Sequence, residues 1–152
     1  MSKYLVCAIG EVLHGFEAQL VKEVVRMPWV TAIAETPADV RGVVNYRGAL
    51  VVVLDPSLRL GLQLAARPVD ALLVVLDSAP DRVALVVDAV RGLSEGSPRP
   101  APNAAEAPPF VLGHIEDGGD LVTVLDVDGL VRPDVRALMQ RTSSERPDAP
   151  PA

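Results

Sequence analysis

The sequence predicts an all-β fold with short helices, closed or nearly closed on itself. Three observations predict it. Short apolar runs, each bounded by Gly, Pro, Asp or Asn, recur from one end of the chain to the other. Those runs favour β-branched valine and isoleucine, which pack well on a pleated surface. Helical periodicity is confined to a few short pieces, so an alternating α/β layer has too few helices to build it.

In chain order the expected strands are "YLVCAI" (4 to 9), a weaker run from Val12 to Phe16 that should pair with it, "VTAI" (30 to 33), "GVVNY" (42 to 46) and "ALVVVL" (49 to 54). They continue with "ALLVVL" (71 to 76), "RVALVV" (82 to 87), "FVLGHI" (110 to 115) and "LVTVL" (121 to 125). In "EAQLVKEVVR" the residues Leu20, Val21, Val24 and Val25 recur at i, i+1, i+4 and i+5, the pattern of one helical face, and Pro28 would end that helix. "PSLRLGL" (56 to 62) reads as one or two turns opened by Pro56 and closed by Gly61, and "RPDVRALMQR" (132 to 141) as a terminal helix. "SPRPAPNAAEAPP" (97 to 109) lacks periodicity and reads as an extended surface connection that cannot pair as a strand.

Composition narrows the function. A chain of 152 residues fits one ordinary domain or two very small ones sharing a surface, and an apolar content of 49% supplies a core. Twenty acidic against fourteen basic residues, net charge −6, with no basic stripe, argues against a nucleic-acid backbone as partner. A single cysteine, Cys7, excludes an intrachain disulfide. "KYLVCAIG" is too short for a signal-peptide core, and the longest aliphatic runs fall well below the roughly 18 residues that span a bilayer. A cytoplasmic protein without membrane insertion is expected.

"NYRG" (45 to 48) satisfies a hairpin turn, with Asn45 at the first position of a type I turn, Gly48 at the left-handed position, and Tyr46 and Arg47 at the corners. A corner guanidinium presents its donors to another molecule, although a plain solvated turn residue looks the same in sequence. Asp55, Asp77, Asp88 and Asp126 each end an aliphatic run. Strand-end aspartates ordinarily accept hydrogen bonds from turn amides, and a converging carboxylate pair for acid–base work is the remote alternative. His14 and His114 are too isolated to define a metal site, and Cys7 reads as core. With no HExxH, CxxC, P-loop, GxGxxG or GxSxG, no catalytic residue, metal or cofactor is expected.

In order, these stretches resemble a CheW-like domain, the adaptor module of bacterial chemosensory arrays, from about Tyr4 to about Val131. The stretch from Leu20 to Leu62 is similar to the family pattern V-x-E-V, a proline, G-V-x-N-x-R-G, an aliphatic strand, D and L-G-L. "VALVVDAVRGL" (83 to 93) resembles its V-D-x-V strand, and "FVLGHIEDGGDLVTVLDVDGLV" (110 to 131) resembles its closing segment. The resemblance implies two small, interleaved SH3-like five-stranded β-barrels packed side by side within residues 1–141. The first barrel would lie largely in 12–62 and the second largely in 70–125, followed by a disordered tail at 142–152.

It also implies a scaffold that couples the cytoplasmic tip of a chemoreceptor to the regulatory domain of a CheA-type histidine kinase. The receptor groove would include Val21, Glu23, Arg47, Gly48 and Val90; no kinase-binding residue is assigned. Val52, Pro56 and Ala34 depart from the family pattern, and they motivate an alternative adaptor that holds receptors without recruiting the kinase. An SH3-like module gripping proline-rich peptides would need an aromatic-lined groove, which one Trp, two Tyr and two Phe supply poorly.

Overall fold

Valine and leucine dominate both faces of the central runs, so those strands need cover on both sides, and the architecture provides it. The computed structural model describes residues 1–62, 70–100 and 105–143. Its strands are β1 (Ser2–Ile9), β2 (Val12–Glu17), β3 (Val21–Arg26), β4 (Val40–Tyr46), β5 (Ala49–Leu54), β6 (Leu72–Ser78), β7 (Asp81–Val87), β8 (Ala89–Gly96), β9 (Val111–Asp117) and β10 (Asp120–Leu125). Two helices follow, α1 (Val127–Leu130) and α2 (Pro133–Ser143). The strands form two five-stranded sheets, ordered β8-β1-β2-β10-β9 and β3-β6-β7-β5-β4.

Each sheet is closed by the same device. Just beyond edge strand β3, Thr31 exchanges two backbone hydrogen bonds of 2.9 Å with Val43 of the opposite edge β4. Just beyond β8, Arg99 does so with His114 of β9, at 2.9 and 2.8 Å. The residue before each acceptor strand position is a glycine, Gly42 and Gly113, where a Cβ would collide with the carbonyl oxygen of Thr31 or Arg99. The two sheets are thus the two SH3-like barrels, related by an internal repeat in which β3, β4 and β5 correspond to β8, β9 and β10.

The barrels divide the chain differently from the sequence boundaries. Strands β6 and β7 complete the barrel of β3–β5, while β1 and β2 join β8–β10. One barrel therefore takes its strands from β3 to β7 and the other from β1, β2 and β8 to β10, because each hairpin pairs with strands distant in sequence. Alternate residues of β5, β6 and β7 serve two cores. Val51, Val53, Leu73, Val75, Ala84 and Val86 fill the interior of their own barrel. Val52, Leu54, Val74, Leu76, Val83 and Leu85 face a second core shared with Leu5, Cys7, Ile9 and Phe16 of the other barrel and with Val135, Leu138 and Met139 of α2. Burial on both faces explains the unbroken aliphatic runs.

Other expectations change. The segment read as a helix across Leu20 to Val25 is strand β3, preceded by a single 3-10 turn at Ala18–Leu20. A bulge between Val21 and Glu23 interrupts the alternation, which turned a strand pattern into one that imitates a helix. "VTAI" pairs only at Thr31, and the proline-rich connection does pair, at Arg99. Strand β8 has no apolar run to mark it, because it alternates exposed and half-buried residues and carries Gly92 and Gly96; the family resemblance reaches only its first part, to Leu93. Helix α1, a single turn of four residues, is too short for a helical period to show in the sequence. Helix α2 starts at Pro133 as expected but runs through Ser143, with Thr142 buried, so the tail does not begin at 142. The rest of that tail lies outside the described residues.

Candidate functional site

The β4–β5 hairpin pairs Tyr46 with Ala49, leaving a two-residue loop of Arg47 and Gly48 with φ of 51° and 83°. This is a type I′ turn, one residue shorter than the expected bulged loop, and its twist matches the flanking strands. The turn therefore begins at Tyr46, with Arg47 and Gly48 as its corners, and Asn45 lies one residue ahead of the position expected for it, its Oδ1 accepting from the Gly48 amide at 3.0 Å. The equivalent β9–β10 hairpin has the same geometry but carries Gly118 and Gly119 at its corners, with φ of 58° and 87°. Arg47 therefore occupies a left-handed position that its repeat partner gives to glycine, at a cost of about 1 kcal/mol.

The guanidinium is oriented, not sealed. Arg47 is 72% exposed, and its Nη2 reaches Glu23 Oε1 at 2.7 Å. Its Nε donates to the Tyr46 hydroxyl oxygen at 3.1 Å, and that hydroxyl donates to the same Glu23 oxygen at 2.8 Å. The Arg47 and Tyr46 hydrogen bonds hold the Glu23 carboxyl below the usual carboxylate range, and Glu23 in turn raises Arg47. An ion pair this exposed adds little stability, so the arrangement serves to aim the charge.

The sequence-derived groove residues come together in part. Glu23, Arg47 and Gly48 form one patch with Tyr46, a residue the sequence placed only as a turn corner. Val21 and Val90 are repeat equivalents: each immediately precedes the bulged residue of its edge strand, opposite Leu76 and Cys7 respectively. Both are half-buried and pack against the shared core, one from each barrel.

The strand-end aspartates have structural tasks. Asp55 Oδ1 accepts from the Ser57 amide at 3.0 Å, and Asp88 accepts from the Gly10 amide. Asp77 pairs with Lys22 and Arg82, each at 3.3 Å, and Asp126 precedes α1. Cys7 is fully buried, and burial pushes its thiol up to about 12. Of the departures from the family pattern, Val52 is 1% exposed within the shared core and Pro56 is also buried, so neither stands out on the surface. Only Ala34 lies on the surface.

Twin closed barrels wrapped around a common core, with an oriented cation displayed at a hairpin corner, define a protein-docking module. The CheW-like domain model matches residues 3–134, and the chain belongs to that family. Chemotaxis protein CheW of Klebsiella aerogenes is 27% identical over 146 residues, covering 93% of this chain and 88% of that protein. Its counterpart from Rhizobium meliloti is 30% identical over 127 residues, covering 80% and 82%. The crystal structure of the scaffolding protein TtCheW from Thermoanaerobacter tengcongensis matches with a TM-score of 0.79 at 26% identity, covering 88% of this chain and 94% of that one.

Proposed function

We propose that this protein is a cytoplasmic scaffold that couples chemoreceptors to a CheA-type histidine kinase in a chemosensory array. Family membership and relatives named as chemotaxis and scaffolding proteins support the reading. The observation that carries it is Arg47, held at a strained, exposed corner by Glu23 and Tyr46 where the repeat has glycine. Strain retained without a stability return points to use by another molecule. The receptor tip meets Arg47 and Gly48 through its polar side chains, while Val21 and Val90 accept its apolar ones. The burial of Val52 and Pro56 removes most of the motive for an adaptor that fails to recruit kinase.

The test is binding of a soluble chemoreceptor tip hairpin to the wild type and to Arg47→Glu, which sets a second carboxylate against Glu23. Affinity falls at least about tenfold, with an unchanged melting curve, if the site is right. Equal affinity for the two proteins excludes this site. Formation of a ternary complex with the kinase regulatory domain tests the coupling.

A further inference from the structure

A cavity of about 540 Å³ opens beside the Arg47 hairpin, between the start of β5, the β6–β7 turn and the two C-terminal helices. Leu20, Leu50 and Met139 give it apolar walls, and Asp77, Asp81, Asp128 and one cation, Arg82, also line it. It continues the surface assigned above, since Leu20 directly precedes Val21 and Ala49, another lining residue, directly follows Gly48.

The three carboxylates are not equivalent. Asp77 is neutralised by Lys22 and Arg82. Asp128 accepts from the Ser78 hydroxyl at 2.6 Å and lies 3.5 Å from Arg136. Asp81 has no ion pair among the described residues, and its Oδ2 is buried without a hydrogen-bond partner. A carboxylate desolvated on one side and lacking a donor gains more from an arriving cation than a fully hydrated one does. The surrounding apolar wall suits an alkyl stem rather than a bare ion, as lysine and arginine side chains provide.

We propose that the cavity seats a lysine or arginine side chain of the partner helix that docks at Val21 and Arg47, its stem against Leu20 and Leu50 and its charge on Asp81. The inference rests on the receptor-docking reading and adds a charge rule to it. Arg47 selects an acidic or carbonyl-rich position on the partner, and Asp81 selects a basic one farther along the same surface. The two opposite charges fix the direction in which the partner lies.

Titration of a soluble chemoreceptor tip hairpin against wild type, Asp81→Asn, Asp81→Lys and Arg47→Glu tests it. Expected affinity losses are about threefold for Asp81→Asn and at least about tenfold for Asp81→Lys, with a flatter salt dependence for both. A tip hairpin whose exposed lysines and arginines are changed to glutamate one at a time regains binding to Asp81→Lys at one position. Ala49→Trp, which fills the cavity and leaves every charge in place, weakens binding as well. Wild-type affinity for Asp81→Lys, with binding lost in Arg47→Glu, overturns the cavity assignment and leaves the docking reading standing. Wild-type affinity for both variants, or no binding by the wild type, overturns both.

Discussion

At the scale of single residues, burial assigns His14 a role its sequence position did not reveal. It sits on β2 between Cys7 of β1 and Thr123 of β10, only 3% exposed, and burial pushes its imidazole down from 6.5 to about 4. The unfolded chain therefore takes up a proton near pH 6.5 that the folded chain refuses until about pH 4. Stability is complete above pH 6.5 and declines as the pH falls toward 4, by about 3 kcal/mol from this group alone. Urea unfolding midpoints measured from pH 7.5 to 4.5 should drop accordingly in the wild type. His14→Leu should flatten that decline, and an equal decline in the variant would assign it to other groups. Arg47 shows the opposite economy: its contacts are solvent-exposed, so its replacement should alter binding and spare the melting curve.

Elements are decided by closure as much as by propensity. A β-barrel needs its edge strands joined, and here each joint is one pair of reciprocal hydrogen bonds passing over a glycine. Gly42→Ala or Gly113→Ala should cost at least about 2 kcal/mol, because each methyl meets a carbonyl oxygen that cannot retreat without breaking the joint. Gly48→Ala meets no atom within 4 Å and should cost only about 1 kcal/mol from its positive φ. Chemical denaturation of the three variants checks the order, and equal losses would show that backbone conformation alone sets the cost. The hairpins themselves were legible in sequence, from the turn residues of "NYRG" and the aliphatic runs around them. Strand β3 was not, because its bulge breaks the two-residue period, and β8 was not, because an edge strand with half its residues in water lacks an apolar run.

Over the whole molecule, the C-terminal segment acts as a clasp between the barrels. Arg132 donates to Asp39 at 2.7 Å, Arg136 donates to the Ser78 carbonyl at 3.0 Å, and Arg59 donates to the carbonyls of Leu130 and Gly129 at 3.2 and 3.1 Å. Asp39 is 2% exposed, so Arg132→Ala leaves a buried carboxylate without its cation. A loss of about 3 kcal/mol is expected, with both barrels still melting in one calorimetric transition because they share a core. Two separated transitions in that variant would show the clasp, rather than the shared core, to be what couples them.

The sequence by itself determined the β character, most of the strands, the terminal helix and the family, since period, turn chemistry and ordered motifs are local properties. It also marked Arg47 and Glu23 as residues of interest through those motifs. Only the tertiary structure decided which strands share a barrel, that Tyr46 completes the Arg47 site, and that Asp81, beside a partly apolar cavity, has no ion pair among the described residues. Those facts depend on which distant segments come within a few ångströms of one another, and hydrogen bonding between strands remote in the chain leaves no periodic mark in the residues that make it.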